Sequence, residues 1–91
     1  MKPILTLGLF SAPGGQLEEA LVALGMPEGQ DVVHQFEPKG TSWVRFSASG
    51  RVVLHTWPER GVVSVDVWSH EAVDLADCLQ GLGWTPIEEG T

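Results

Sequence analysis

Apolar and polar residues alternate along most of this chain, which is the pattern of β-strands that bury one face. The alternating runs are rich in Val, Leu and aromatic residues, and clusters of Gly, Pro, Ser and Asp separate them. In the first run Leu5, Leu7 and Leu9 share one face, and apolar residues opposite them predict that both faces are partly covered. Five main strands are predicted, over 3–10, 31–36, 41–48, 52–57 and 61–68.

Two segments have helical spacing instead. Residues 16–24 predict a helix with one apolar stripe, closed by Gly25. A second helix begins with Ser69 or Asp74 as its N-cap and precedes a short strand over 84–87, which its proline places at a sheet edge. The predicted buried stripe of this second helix is Ala72, Leu75, Ala76, Leu79 and Leu82.

The order of these elements, β-α-β-β-β-β-α-β, predicts the fold class. It is an α/β two-layer sandwich of the α+β type, in which two helices cover one face of a mostly antiparallel sheet. At 91 residues the chain is predicted to form a single domain, 1–91, with a thin core. A sheet with one bare face also predicts a homodimer, because small domains often gain stability from a subunit interface.

Net charge and composition restrict the kinds of molecule that this protein is expected to bind. Five basic residues against twelve acidic ones give a net charge of −7, which argues against nucleic acid. The acidic surface attracts cationic ligands such as polyamines or a sulfonium compound, or serves solubility alone. The lone Cys78 cannot form an internal disulfide and is predicted to be a buried small hydrophobe in a reducing cytosol. Without an apolar run of ~18 residues or a signal peptide, the chain is predicted to be cytoplasmic, with no membrane partner.

One corner of the chain carries a recognisable motif. Residues 55–61, His-Thr-Trp-Pro-Glu-Arg-Gly, separate two β-branched runs and predict a hairpin with His55 and Glu59 at its rim. Together with the segment 34–42 and with Asp66, this motif resembles the signature of the prokaryotic S-adenosylmethionine decarboxylases. These are small pyruvoyl-dependent enzymes of polyamine (spermidine) biosynthesis. The likeness runs without a gap from 34 to 66 and implies their fold.

The positions that carry the family's chemistry differ in this chain. In the family, a serine five residues before the signature histidine rearranges to an ester, and the chain splits there to leave a pyruvoyl group that serves as electron sink. The corresponding residue here is Gly50, which has no hydroxyl. The family histidine that follows the serine is replaced by Arg51, and the proton-donating cysteine fifteen residues after the signature histidine is replaced by His70.

Other positions of the family pattern are kept. The resemblance implies that Ser42 and His55 support self-cleavage and catalysis and that Glu59 is the corner carboxylate. Each also has a structural interpretation: Ser42 caps a strand edge, His55 bonds to backbone, and Glu59 is a solvated turn residue. His70 either relays a proton or is a loop histidine beside a helix start.

Three hypotheses follow. In the first, the protein is catalytically inactive, needs no cofactor, and acts as a ligand-binding or regulatory module, as a homodimer or as a heteromer with an active paralogue. Its ligand is then an adenosyl compound or a polyamine. In the second, Ser49 replaces the missing serine through a bulge at Gly50, and the protein is an active pyruvoyl-dependent decarboxylase of S-adenosylmethionine or another amino acid. In the third, the fold carries an unrelated site lined by Trp and acidic groups; the spacing of its histidines and carboxylates does not indicate a metal site.

Overall fold

One antiparallel sheet of six strands organises residues 3–87, which are the residues that the computed structural model describes. Its strand order is β2-β3-β4-β5-β1-β6, so the first strand returns to lie between the fifth and the sixth. The strands are β1 Ile4–Ser11, β2 Gln30–Gln35, β3 Thr41–Ser47, β4 Gly50–Trp57, β5 Val62–Ser69 and β6 Thr85–Pro86. The helices are α1 Leu17–Ala23 and α2 Leu75–Leu79, and single 3₁₀ turns cover Pro58–Arg60 and Gln80–Leu82.

The two helices pack on one face of the sheet, as predicted. On that face Phe10, Val52, Leu54 and Val65 are almost completely buried. The opposite face, which we call the open face, is formed by the alternate residues of the same strands. Leu7 is 62% exposed there and Leu9 is half-buried, so the predicted partial cover of both faces of the first strand holds on the open face only towards Ser11. Phe10, on the helix side of the same strand, is buried because α1 and α2 cover only that side.

The helix α1 follows its prediction closely. Ala20, Leu21 and Leu24 are buried against the sheet, and Glu18 and Glu19 lie in the first turn, where the helix dipole favours negative charge. Gly25 follows the helix with a φ of 91° and donates its N–H to the Val22 carbonyl, which closes the last turn.

The helix α2 is shorter than predicted. Asp74 is its N-cap, because Oδ1 of Asp74 accepts a hydrogen bond of 3.0 Å from the Asp77 N–H. Ala72 therefore precedes the helix and is exposed, and Ala76 points away from the sheet, so both were assigned to the buried stripe wrongly. The stripe that packs on the sheet consists of Leu75 and Leu79, with Cys78 and Leu82 partly buried.

Arg45 ties the edge of the sheet to the helix layer. It is a charged side chain only 6% exposed, on the helix side of β3. Its guanidinium donates to both carboxylate oxygens of Asp31 in β2, at 2.7 and 2.9 Å, and to the carbonyls of Met26 and Pro27, and it lies 2.9 Å from a carboxylate oxygen of Glu18 in α1. These contacts satisfy the buried cation and fix the edge strand β2 in place.

Candidate functional site

Ser42 and His55 form a side-chain pair on the open face. The register of β3 and β4 sets these two residues directly opposite each other, and the Ser42 hydroxyl lies 2.5 Å from Nδ1 of His55. The imidazole lies between two aromatic rings, with centroid distances of 4.5 Å to Trp57 and 5.4 Å to Phe36. His55 therefore contacts a side-chain hydroxyl, and both residues are half-buried rather than solvated.

Glu59 lies beyond the end of β4, in the 3₁₀ turn Pro58–Arg60. The turn closes when Gly61, with a φ of 63°, donates its N–H to the Pro58 carbonyl at 3.2 Å. Ala12 then donates to the Gly61 carbonyl at 2.7 Å, which joins the corner to the end of β1. Pro58 and Gly61 thus delimit the corner as predicted, and Glu59 is exposed at its surface.

Gly50 begins β4 in a conformation that side chains rarely adopt, with a φ of +149°. A Cβ at this position would overlap the carbonyl oxygen of Trp68 and would lie 3.1 Å from its carbon and 3.3 Å from the Cα of Ser69. These are backbone atoms of the neighbouring strand β5, so they cannot turn aside as a side chain does. Position 50, where the resemblance implies a reactive serine, therefore lacks both a hydroxyl and the space for a side chain.

Ser49 lies in the two-residue turn before Gly50. The ladder between β3 and β4 runs without interruption to the pair Ser47 and Gly50, so this hairpin has no bulge of the kind that Ser49 would need. The Ser49 and Ser47 hydroxyls are 2.8 Å apart, and the Ser49 N–H donates to Oγ of Ser47 at 3.2 Å. The Ser49 side chain is thus exposed and held against its own turn.

A groove of about 670 Å³ runs past this hairpin from the open face. Its apolar lining includes Val44, Phe46 and Trp68. Arg51 also lines it, with the centre of its guanidinium 4.9 Å from the centroid of the Trp68 ring. The groove brings together four residues that the sequence analysis singled out, namely Ser49, Gly50, Arg51 and His70.

The candidate site residues consequently fall into two groups, one at each end of β4. Gly50 and His55 are five residues apart on one strand, which at roughly 3.3 Å per residue separates them by about 17 Å. Ser42 and His55 lie towards one end of β4, and Ser49, Gly50 and His70 surround the other end. The resemblance would have used both groups in one reaction, but within a single chain they do not meet.

Two lining residues of the groove were not identified from the sequence. Phe46 was treated only as a strand residue, and Trp68 was covered only by the general hypothesis of a site lined by Trp and acidic groups. Strand alternation could have found them, because Trp68 shares its face with Asp66 and Ser64, and Phe46 shares its face with Ser42.

A second depression of about 420 Å³ lies on the open face and is lined by Leu7, Ser64 and Asp66. Within residues 3–87, no group of three or more His, Cys, Asp or Glu side chains is arranged to hold a metal ion. In the same part of the chain, no helix is both long and apolar enough to cross a membrane.

Comparison with known proteins identifies the family. The family model described as S-adenosylmethionine decarboxylase matches residues 15–83, and the chain therefore belongs to this family. Among curated relatives, the S-adenosylmethionine decarboxylase proenzyme of Caldanaerobacter subterraneus is 35% identical over 51 residues, 56% of this chain and 41% of that protein. The proenzyme of Moorella thermoacetica is 33% identical over 58 residues, 59% of this chain and 46% of that protein.

The matched region thus spans less than half the length of these curated relatives. A solved structure, the adenosylmethionine decarboxylase of Aquifex aeolicus, has 23% sequence identity and a TM-score of 0.57, over 90% of this chain and 78% of that one. The α+β sandwich and the family resemblance predicted from the sequence are both confirmed.

Proposed function

We propose that this chain is a decarboxylase-like protein that does not process itself and acts in the cytoplasm as a ligand-binding or regulatory module linked to polyamine metabolism. Gly50 carries this proposal. It has no oxygen for the N→O acyl shift, and the Trp68 carbonyl occupies the space that a side chain would need. In this account no pyruvoyl group forms, and no cofactor takes its place.

The Ser42–His55 pair supports a binding role. Hydrogen-bonded through Nδ1, the imidazole keeps a fixed orientation between the rings of Phe36 and Trp57. Aromatic surface beside a few fixed polar groups is the usual composition of a small-molecule site. An adenosyl compound offers both a planar base and hydroxyl groups to such a surface, and a polyamine would find a carboxylate in Asp66. We propose one of these as the ligand.

A homodimer formed through the open face is the second part of the proposal. The helices cover only the other face, and Leu5, Leu7 and Val32 expose between 41% and 62% of their surface on this one. Packing two such faces together removes this apolar surface from water. The same face would serve a heteromer with an active paralogue, in which this chain regulates its partner.

Processing at Ser49 is the alternative function. It is favoured by one observation: the exposed Ser49 lines the same groove as His70. Cleavage between Ala48 and Ser49 would then leave a pyruvoyl group at the groove, and the protein would be a working decarboxylase.

Labelling with a carbonyl reagent separates the two proposals. Phenylhydrazine reacts with a protein-bound pyruvoyl group, and we expect it to leave this protein unlabelled, with a self-processed family member labelled in parallel as the positive control. Stoichiometric labelling would contradict the non-processing proposal. Co-purification with a co-expressed active paralogue would support the regulatory role. A homodimer that does not bind such a paralogue would count against that role.

A further inference from the structure

The groove beside the β3–β4 hairpin has an unusual charge for this protein. The chain carries a net charge of −7, yet none of the described residues that line this groove is acidic. Its ionisable lining residues are Arg51 and His70. The other depression on the sheet has the opposite character, because Asp66 lines it. The groove is therefore positively charged, although the protein as a whole is acidic.

Arg51 is held in a position suited to bind an anion. The centre of its guanidinium lies over the Trp68 ring, 4.9 Å from the ring centroid, an arrangement that is favourable between a cation and an aromatic face. This contact places the cation at the wall of the groove, where its N–H groups can donate to a ligand. A guanidinium edge matches the two oxygens of a carboxylate, and its charge persists at every physiological pH.

The other residues that line the groove indicate the chemistry of the rest of the ligand. Val44, Phe46 and Trp68 form apolar walls, and a volume of about 670 Å³ is in the range that holds a small organic molecule. Polar lining is limited to the serines of the hairpin and of the end of β5, together with His70. A ligand with an apolar, planar body and one anionic group would satisfy both the walls and Arg51.

We propose that this groove binds small molecules with a planar apolar body and a carboxylate, and that Arg51 selects them over cations of the same shape. This inference rests on the binding role proposed above and adds, at this groove, a ligand class distinct from the adenosyl compound or polyamine proposed beside Ser42 and His55. It separates the groove from any polyamine site, because a polyamine brings only positive charge to a guanidinium.

A pair of matched probes tests the charge preference. Naphthalene-2-carboxylate and 2-naphthylmethylamine have the same ring system and opposite charges. Each is titrated into the ¹⁵N-labelled protein at neutral pH and low salt, and binding is followed by the amide shifts of Ser47, Ser49, Trp68 and His70. We expect the carboxylate to shift these amides and to bind about five-fold more tightly than the amine, which is the upper end of the range for one exposed ion pair.

Arg51→Gln is the diagnostic variant, and Arg60→Gln is its control. Both remove one exposed arginine charge, but Arg60 lies in the 3₁₀ turn at the other end of β4. The preference for the carboxylate should disappear in Arg51→Gln, be retained in part in Arg51→Lys, and remain unchanged in Arg60→Gln. Equal or tighter binding of the amine, shifts confined to other residues, or the absence of binding by either probe would overturn the proposal. Self-processing is read separately by mass, so its detection would refute the proposed function without bearing on this preference.

Discussion

The Arg45 guanidinium donates two hydrogen bonds to the Asp31 carboxylate and so joins β3 to the edge strand β2. Nε of Arg45 is 2.7 Å from Oδ1, and a terminal nitrogen is 2.9 Å from Oδ2. Asp31 lies in the edge strand β2, directly opposite Arg45 in β3. Hydrogen bonding to this guanidinium holds the pKa of the Asp31 carboxyl below its ordinary value. The ion pair thus anchors the edge strand β2 to its neighbour β3.

Acid should weaken the fold through Asp31. Because the pKa of this carboxyl is lower in the folded state than in the unfolded chain, its contribution to stability is present above the ordinary value of about 3.9 and is lost as the pH falls through the folded-state pKa. We expect the urea midpoint to fall as the pH drops from about 4 towards 2. Asp31→Asn should be less stable at pH 7 and lose less over that interval. The exposed Glu28→Gln serves as control, and an Asp31→Asn variant with the full acid response would contradict this account.

Replacement of Arg45 should destabilise the protein strongly. Arg45→Met leaves the Asp31 carboxylate and the Met26 and Pro27 carbonyls without their donors, which should lower the free energy of unfolding by about 2–3 kcal/mol. Arg45→Lys keeps the positive charge but cannot donate to both carboxylate oxygens of Asp31 at once, so its free energy of unfolding should be intermediate. Urea unfolding measures both. The exposed Arg60→Met should change stability by less than about 0.5 kcal/mol, and equal losses in the Arg45→Met and Arg60→Met variants would refute the role given to Arg45.

Restoring the family serine should not restore self-cleavage. Gly50→Ser supplies the missing hydroxyl, but its Cβ collides with the backbone of Trp68, and the φ of +149° is strained for any side chain. We expect Gly50→Ser and Gly50→Ala to be destabilised alike, by about 1–3 kcal/mol, with both chains uncut.

Gly81→Ala is the control for these glycine variants, since a Cβ there meets no atom within 4 Å. Thermal unfolding and intact mass are read on the same samples. A stable Gly50→Ser variant that cleaves itself would show that the hairpin is not closed to the reaction.

A charge on the open face should break the proposed dimer. Leu7 is 62% exposed on that face, and Val22 is 51% exposed on α1, in the other layer. Leu7→Glu should convert a dimer to a monomer in light scattering after gel filtration, because association would bury its carboxylate beside Asp66, which lies directly opposite on β5. Val22→Glu should remain dimeric. A dimer that survives Leu7→Glu but not Val22→Glu would place the interface on the helices.

Local patterns predicted the strands and the fold well. Alternation in 61–68 and in 41–48 located β5 and β3 because each has one face against the helices and the other open. β4 begins earlier than predicted, since Gly50 pairs with Ser47 directly across the turn. In α2, the apolar Ala76 suggested burial, but capping by Asp74 set a rotation that exposes it.

The site was less accessible to sequence reasoning, because its decisive contacts join distant residues. The missing hydroxyl of Gly50 was evident from the sequence, whereas the obstruction comes from Trp68 on the next strand. Ser42 and His55 were recognised separately, and their hydrogen bond depends on the β3–β4 register. The partners of Arg45 come from β2, α1 and the loop between them, so no local pattern in 41–48 indicated a buried cation.

The intact mass of the purified, denatured protein tests the central claim most directly. A single species at the full 9.8 kDa is the predicted result, and it would mean that the chain does not cleave itself. Two fragments separated between Ala48 and Ser49, the carboxyl-terminal one blocked by a pyruvoyl group, would contradict the account and make this protein a self-processed decarboxylase.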